Sequence, residues 1–488
     1  MLSVTAARFS PQDPQPLRPW ADLPFVTIQL PVYNERYVIQ QLIASVSQMN
    51  YPRQLLEIQV LDDSTDDTTA LAQSAVQKLR AEGHNIKVLH RATRAGYKAG
   101  ALAQGLRRAQ GKFIVVFDAD FMPERDFLLR TIHYFTDEAV GMVQVRWGHQ
   151  NPNASLLTRL QRVLIDGHFL VDQFARFSSR RFFNFNGSAG VWRRSAIEDA
   201  GGWQADTLAE DLDLSYRAQL KGWQFILLSQ YQVKQELPRG IGAFKQQQFR
   251  WTKGSLQVAR KLLPAVLKSS LPVKIKIEAV VHLTNTLAYL FVVLSILIML
   301  PVIFMPSSQS SPGAVLFDFL LLISGIGSLT LYYVVTQIRE YRSWLSQLWF
   351  LPVFIAGIAG FSLVYLKALW EVAIDKQTPF LRTPKKGDHP GSLGCKGSYQ
   401  ITFDSYILWE IFMGLYLTVT LYFILVQKRF DMVFFLTLMM TGYYYVIFAS
   451  LKESLWVKAE KVLAGKSPSA TVHQQRSSTR RVYPKGIT

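Results

Sequence analysis

The chain has 488 residues, of which 49% are apolar and only 18% charged, with 53 Lys plus Arg against 35 Asp plus Glu for a formal net charge of +18. So small a charged share lies below the roughly 25% usual for soluble domains and points to a membrane protein. A single cysteine, Cys395, excludes a disulfide framework and a Cys-based zinc or iron–sulfur site within one chain, and neither a G-x-G-x-x-G turn nor a P-loop occurs.

Residues 1–24, with Arg8, Asp13 and prolines at Pro11, Pro14, Pro16 and Pro19, lack the apolar core of a signal peptide and are expected to be a flexible segment. No run of 18 apolar residues follows before about residue 270, so 25–270 is expected to be a cytosolic domain. Within it, β-rich runs at 25–30, 57–61, 86–89, 113–117 and 140–145 alternate with helix-period stretches such as 37–49, 67–79 and 100–109. That alternation predicts βαβ units and a mostly parallel α/β sheet, in which ligands bind at the carboxyl ends of the strands.

Polar clusters fall at those ends. The first run closes on Pro31-Val32-Tyr33-Asn34-Glu35, the second on Asp62-Asp63-Ser64-Thr65-Asp66, and the fourth on Asp118-Ala119-Asp120. Asp66 and Ser64 also fit a helix cap, but capping does not explain why acids recur on successive strands. Three acidic clusters on one edge repel unless a cation is bound there. Asp118 and Asp120, two apart on an extended chain, face one side and suit Mg2+ or Mn2+, which take one or two carboxylates together with substrate phosphate oxygens. Lys98 opens a helical stretch where backbone N–H groups and an ammonium can meet an anion; an exposed first-turn lysine is the plainer alternative.

Further along come Phe185-Asn-Gly-Ser-Ala-Gly190, then Ala209-Glu210-Asp211 opening a helix, then Gln247-Gln248-Phe249-Arg250-Trp251. Each has an ordinary structural reading: a tight turn for the first, acids favoured by a helix dipole for the second, and an interfacial tryptophan for the third.

After Glu278 the composition changes. Residues 279–305 contain no Asp, Glu, Lys or Arg, enough to cross a hydrocarbon core of about 30 Å. Apolar stretches follow near 314–338, 345–366, 405–427 and 432–451. The loop at Arg339 and Arg342, the loop with Lys376, Arg382, Lys385, Lys386 and Lys396, and the tail 452–488 are all basic. Positive-inside bias places all three in the cytosol, which requires 345–370, interrupted by Pro352, Gly357 and Gly360, to be re-entrant or interfacial. The expected membrane region is thus 271–451, with about four crossings and a cytosolic loop over 371–404; a fifth true crossing is the alternative. Lys and Arg on the cytosolic flanks suit anionic lipid headgroups, whereas no nucleic-acid-binding module is visible.

Taken together, the motifs over about 25–260 resemble the processive branch of the family 2 glycosyltransferases, which includes cellulose, hyaluronan and chitin synthases, and are most like the cellulose-synthase-like mannan and glucan synthases. The resemblance implies a GT-A fold followed by a transmembrane helical bundle. It also implies roles: Asp63, with Tyr33 or Glu35, for the nucleoside; Asp118 and Asp120 for a UDP or GDP diphosphate and its metal; Asp211 as the catalytic base. Gln247 and Arg250 would contact the diphosphate, and Trp251 would lie beneath the acceptor sugar, with Glu210 beside it. Ala209 departs from the family's Thr-Glu-Asp. The segment from Thr378 to Lys385 looks like a cytosolic gating loop. The expected activity is an inverting transfer of hexose from UDP-glucose or GDP-mannose to a β-linked polysaccharide, with β-1,4 linkage expected, that then crosses the membrane. A glycolipid transferase acting on diacylglycerol, ceramide or polyprenyl phosphate is the alternative, and a nucleotide-binding transporter or scaffold a third class. Protein partners are not assigned.

Overall fold

The computed structural model describes residues 12–304, 327–341, 343–379 and 406–465. Its sheet is built from β1 (Val26–Val32), β2 (Leu56–Asp62), β3 (Ile86–His90), β4 (Phe113–Val116), β5 (Phe121–Met122), β6 (Val140–His149), β7 (Gly190–Arg193) and β8 (Gln224–Gln235), in the order β3-β2-β1-β4-β7-β6-β8-β5. β1 pairs in parallel with β2 and β4, β2 with β3, and β6 with β8. β7 runs antiparallel to both β4 and β6, and β5 to β8. The expected mostly parallel α/β sheet is present. β1 and β2 are almost continuously buried, as strands covered on both faces are. The helices Ile39–Ser47, Thr68–Ala81 and Tyr97–Arg108 fill the expected crossovers.

Two features put chemistry at one edge. Because β2, β1 and β4 are neighbours, their three polar ends emerge side by side. β7 enters the sheet antiparallel with Gly190 opposite Val116, the last residue of β4, so the turn before β7 arrives at the same edge. The short β7 was not legible as a strand in the sequence.

Residues 12–24 are held in place, in contrast to the flexible segment expected there. Asp13 Oδ1 accepts the N–H of Ser229 at 2.6 Å and that of Gln230 at 3.1 Å, Trp20 Nε1 donates to Ile132 O at 2.9 Å, and the Trp20 ring packs edge-on against Phe113.

Below the sheet, the helix Leu156–Gly167 continues through a π-helical turn, His168–Gln173, into Phe174–Ser178. Its Leu157 and Leu160 pack with Phe244, Phe350, Phe354 and Phe361, joining the sheet domain to the apolar helices. Among the described residues, four helical stretches are long and apolar enough to cross a membrane: Val273–Ile303, Trp344–Ala373, Tyr406–Val426 and Val433–Trp456. The segment expected to be re-entrant is thus itself long enough to span. It consists of a 3-10 turn, Trp344–Phe350, and helices Leu351–Gly360 and Ser362–Ala373. It approaches the final helix through small residues, since a Cβ on Gly442 would stand 1.9 Å from Ala356 O and one on Gly360 2.4 Å from Gly442 O; such contacts are typical of membrane helix packing. Of the expected crossing at 314–338, only 327–338 is described, and it is helical. Most of the loop 371–404, including the part of the expected gating segment after Pro379, lies outside the described residues, as do 1–11 and the tail beyond 465.

Candidate active site

One cleft opens at the carboxyl edge of the sheet, and all eleven residues singled out from the sequence line it: Tyr33, Glu35, Asp63, Lys98, Asp118, Asp120, Glu210, Asp211, Gln247, Arg250 and Trp251. The strand ends supply the first wall. Asp62 turns away from the cleft and is consumed locally, accepting from Thr69 Oγ1 at 2.6 Å and Ser64 N at 3.0 Å and meeting His90 Nδ1 at 2.8 Å. Asp66 accepts the N–H of Thr68 at 3.0 Å in a local turn, whereas the N-cap position of the following helix is Asp67, with no side-chain cap bond. Asp63 is gripped by the guanidinium fork of Arg91, with Nε to Oδ1 at 2.6 Å and Nη2 on Oδ2. The Arg94 guanidinium stacks 3.6 Å from the Tyr33 ring centre.

Lys98 stands in the first turn of the helix Tyr97–Arg108, which begins at left-handed Gly96. Its ammonium pairs with Asp118 Oδ1 at 2.6 Å, donates to Gly187 O at 2.9 Å and approaches Glu210 Oε1 at 3.9 Å. Burial alone would lower it, but the carboxylates of Asp118, Glu210 and Asp211 prevail and hold it above its ordinary value.

The turn before β7 forms the floor. Gly187 has φ +85, and a Cβ there would lie 2.9 Å from Asp211 Oδ2 and 3.3 Å from Lys98 Nζ, so only glycine fits between acid and ammonium. Ser188 Oγ accepts the N–H of Asp118 at 2.9 Å. Buried Gln144 on β6 donates to Ser188 O at 3.1 Å and accepts the N–H of Asn186 at 2.9 Å. Asn186, also in the cleft wall, is fixed from the π-helical turn: Gln173 Nε2 donates to its Oδ1 and its Nδ2 donates to His168 Nε2, both at 2.7 Å. Burial, with nearby Arg176, pushes His168 down to about 3 and keeps its ring neutral as an acceptor.

Two helices close the far side. Glu210 and Asp211 open the helix Glu210–Leu220, where the dipole favours acids. Asp211 Oδ1 accepts its neighbour's Leu212 N–H at 2.8 Å. Burial and then adjacent Glu210 raise the Asp211 carboxyl, Lys98 pulls it partly back, and it settles at about 7. Gln247, Arg250 and Trp251 ride on the helix Ile241–Lys268. Burial lowers the Arg250 guanidinium while Glu210, Asp118, Asp211 and Asp120 all oppose that shift, which places it within the field of four carboxylates. A Cβ on Gly254 of this helix would stand 2.7 Å from the Ala209 Cβ. Ala209, the departure from the family's threonine, therefore sits where two backbones close on each other.

Asp118 and Asp120 offer only hard oxygen donors at the cleft wall, a set that fits Mg2+ or Mn2+. Among the described residues no three His, Cys, Asp or Glu side chains converge on one point. Two carboxylates with the remaining positions left to diphosphate oxygens and water is how such ions are commonly held at phosphate-transfer sites.

Sequence reasoning missed Arg91, Arg94, Gln144, His168 and Gln173. Arg91 and Arg94 lie in the stretch between β3 and Lys98, where two cations close together are the only local signal. The other three contribute through contacts distant in sequence.

The family profile of glycosyl transferase family 21 matches residues 1–344. Two curated relatives from Arabidopsis thaliana are similar over about half of the chain. Glucomannan 4-β-mannosyltransferase 2 is 43% identical over 254 residues, covering 51% of this chain and 48% of the relative. Glucomannan 4-β-mannosyltransferase 9 is 44% identical over 244 residues, covering 49% and 46%. The chain thus spans about half the length of the curated relatives it matches. Among solved structures, a mannosyltransferase from Pyrobaculum calidifontis in complex with GDP-Man and Mn2+ superposes with a TM-score of 0.53 at 21% identity, covering 77% of this chain and 94% of that one; this likeness supports the GT-A-type fold. Because the profile takes in well over half of the 488 residues, the chain belongs to glycosyl transferase family 21.

Proposed function

We propose that the protein is an inverting, metal-assisted hexosyltransferase that lengthens a β-linked polysaccharide, with β-1,4 linkage, from GDP-mannose or UDP-glucose at the cytosolic face, and passes the product across the membrane. The observation that carries the reading is Asp211, a carboxyl raised to about 7, set across one cleft from the cation-neutralised acids at the strand ends. The relatives' names favour mannose as the transferred sugar.

In this reading the nucleoside lies over Tyr33, Glu35 and Asp63, and the acceptor's terminal sugar rests against Trp251 and Glu210. The acceptor hydroxyl gives its proton to Asp211 as its oxygen bonds to the anomeric carbon. The bond from that carbon to the diphosphate oxygen breaks, and its electron pair leaves with the diphosphate. A single displacement inverts the centre, so an α-linked donor gives a β-linked product. Proton acceptance by a positioned base contributes about 10²–10⁴-fold. Lys98, Gln247 and the guanidinium of Arg250 oppose the charge that develops on the leaving group. Asp118 and Asp120 would hold Mg2+ or Mn2+, which when bound adds Lewis-acid stabilisation of that charge.

The deciding experiment gives purified protein in lipid each labelled donor with Mn2+. The reading expects high-molecular-weight product that a matching β-glycanase reduces to oligosaccharides. Product extractable only into organic solvent would replace this reading with a glycolipid acceptor, and no sugar consumption would reject both.

A further inference from the structure

The helix Ile241–Lys268 presents Gln247, Arg250 and Trp251 to the cleft. With about 3.6 residues per turn, Lys245, Phe249 and Lys253 share the opposite face. Both lysines end on carboxylates of the apolar helices. Lys245 Nζ meets Glu410 Oε1 on Tyr406–Val426 and donates to Ser450 Oγ at 2.7 Å on the last helix. Lys253 Nζ meets Glu371 Oε2 at 2.9 Å near the end of Ser362–Ala373, and also donates to Lys376 O at 2.7 Å and Thr378 Oγ1. Three of these four side chains are 5% exposed or less: Glu410 2%, Lys253 1% and Glu371 5%. Glu453 of the last helix accepts the N–H of Gly242 at 2.9 Å in the first turn of the same helix.

Packed apolar side chains would hold a helix in place as well as buried ion pairs do, or better. What the pairs add is a unique placement. A rotation or slide of the helix by one residue would separate both pairs, three of whose four members are buried. The donor wall, by contrast, hangs on the sheet: Asp63, Lys98, Asp118 and Asp120 sit at strand ends or in the helix after β3, and Lys98 and Asp63 take their ion partners from the sheet domain itself.

We propose that Lys245 and Lys253 are positioning residues that make the membrane bundle part of the acceptor site, fixing the rotation and height at which Trp251 meets the end of a β-linked hexose chain. The inference rests on the polysaccharide-extending reading above and adds a division of labour: the sheet supplies most of the donor contacts, and the membrane helices set acceptor geometry.

The test uses the full chain in lipid nanodiscs with β-1,4-manno-oligosaccharide as the acceptor and GDP and UDP as donor-site probes. Lys245→Met and Lys253→Met are expected to raise acceptor KM and lower kcat, by about tenfold or more in kcat/KM, as sub-ångström misplacement does. Nucleoside diphosphate Kd by calorimetry should move by less than one tenfold step, about 1.4 kcal/mol, and by less than acceptor KM, because, of the proposed diphosphate contacts, only Gln247 and Arg250 ride on this helix. The reversed pair Lys245→Glu with Glu410→Lys should recover most of the loss. Folded variants with wild-type acceptor parameters would overturn the proposal, as would a donor Kd that moves as far as acceptor KM, or a folded reversed pair without recovery. Should Lys245→Met not fold, Glu410→Gln, which keeps the shape but not the charge, is judged by the same criteria. A wild type that transfers no sugar would sink the functional reading instead, and acceptor Kd by calorimetry would then judge the lysines.

Discussion

The raised Asp211 carboxyl gives a pH signature that an ordinary aspartate cannot give. A base must be ionised to take a proton, so the rate should rise with pH through its pKa. At about 7, the ionised fraction grows from about a tenth at pH 6 to about nine tenths at pH 8, a roughly tenfold rise in kcat/KM, which reports the free enzyme. An aspartate near its usual value of about 3.9 is fully ionised across that window and gives a flat profile. Two neighbours move the limb in opposite directions. Glu210 raises the Asp211 carboxyl and Lys98 lowers it, so Glu210→Gln should shift the limb toward acid and Lys98→Met toward base, whatever either change does to the plateau. The assay is initial-rate release of nucleoside diphosphate at fixed free Mn2+, at several pH values, with subsaturating donor. A flat profile from pH 5.5 upward, or a limb that Glu210→Gln leaves in place, would refute the assignment. So would Asp211→Asn retaining more than a tenth of wild-type turnover.

Gly187→Ala, which puts a Cβ 2.9 Å from Asp211 Oδ2 at a positive φ, should cut turnover by about 10²-fold through misplacement of acid and ammonium; turnover within threefold of wild type would remove the turn from the site. Asp120→Ala should weaken donor binding in a manganese titration, and unchanged donor affinity across the titration would count against a metal there. Arg91→Met leaves Asp63, whose side chain is 5% exposed, without its cation. The expected loss is about 3–5 kcal/mol, read as a lower Tm with the donor absent, and a loss under about 1 kcal/mol would show that Asp63 finds water instead.

The acid clusters were legible because apolar strands ending in carboxylates stand out at short range, and parallel topology then brings successive ends together. Gln224–Gln235 should have been equally legible, since its alternating burial follows an alternating sequence. β7 was not, because four residues carry no period and its place between β4 and β6 depends on long-range pairing. Asp63 was found but its partner Arg91 was not, as nothing local joins two residues 28 apart. The same holds for Lys245 and Lys253: their helix face follows from the sequence, while Glu410 and Glu371, 165 and 118 residues on, do not. At residues 12–24, prolines and polar residues read as a free segment, yet the carboxylate of Asp13 finds backbone N–H groups more than 200 residues away.

The contact between Lys98 and Asp118 bears on how the donor arrives. The lysine already has its counter-charge in Asp118, so a diphosphate bound with its cation, as proposed above, would not simply add to a waiting positive well. On the proposed function, the Lys98 ammonium would pass from carboxylate to phosphate, leaving Asp118 to hold the ion. Such an exchange conserves charge locally, so added salt should weaken donor capture only slightly, and phosphate without the cation should be a poor competitor.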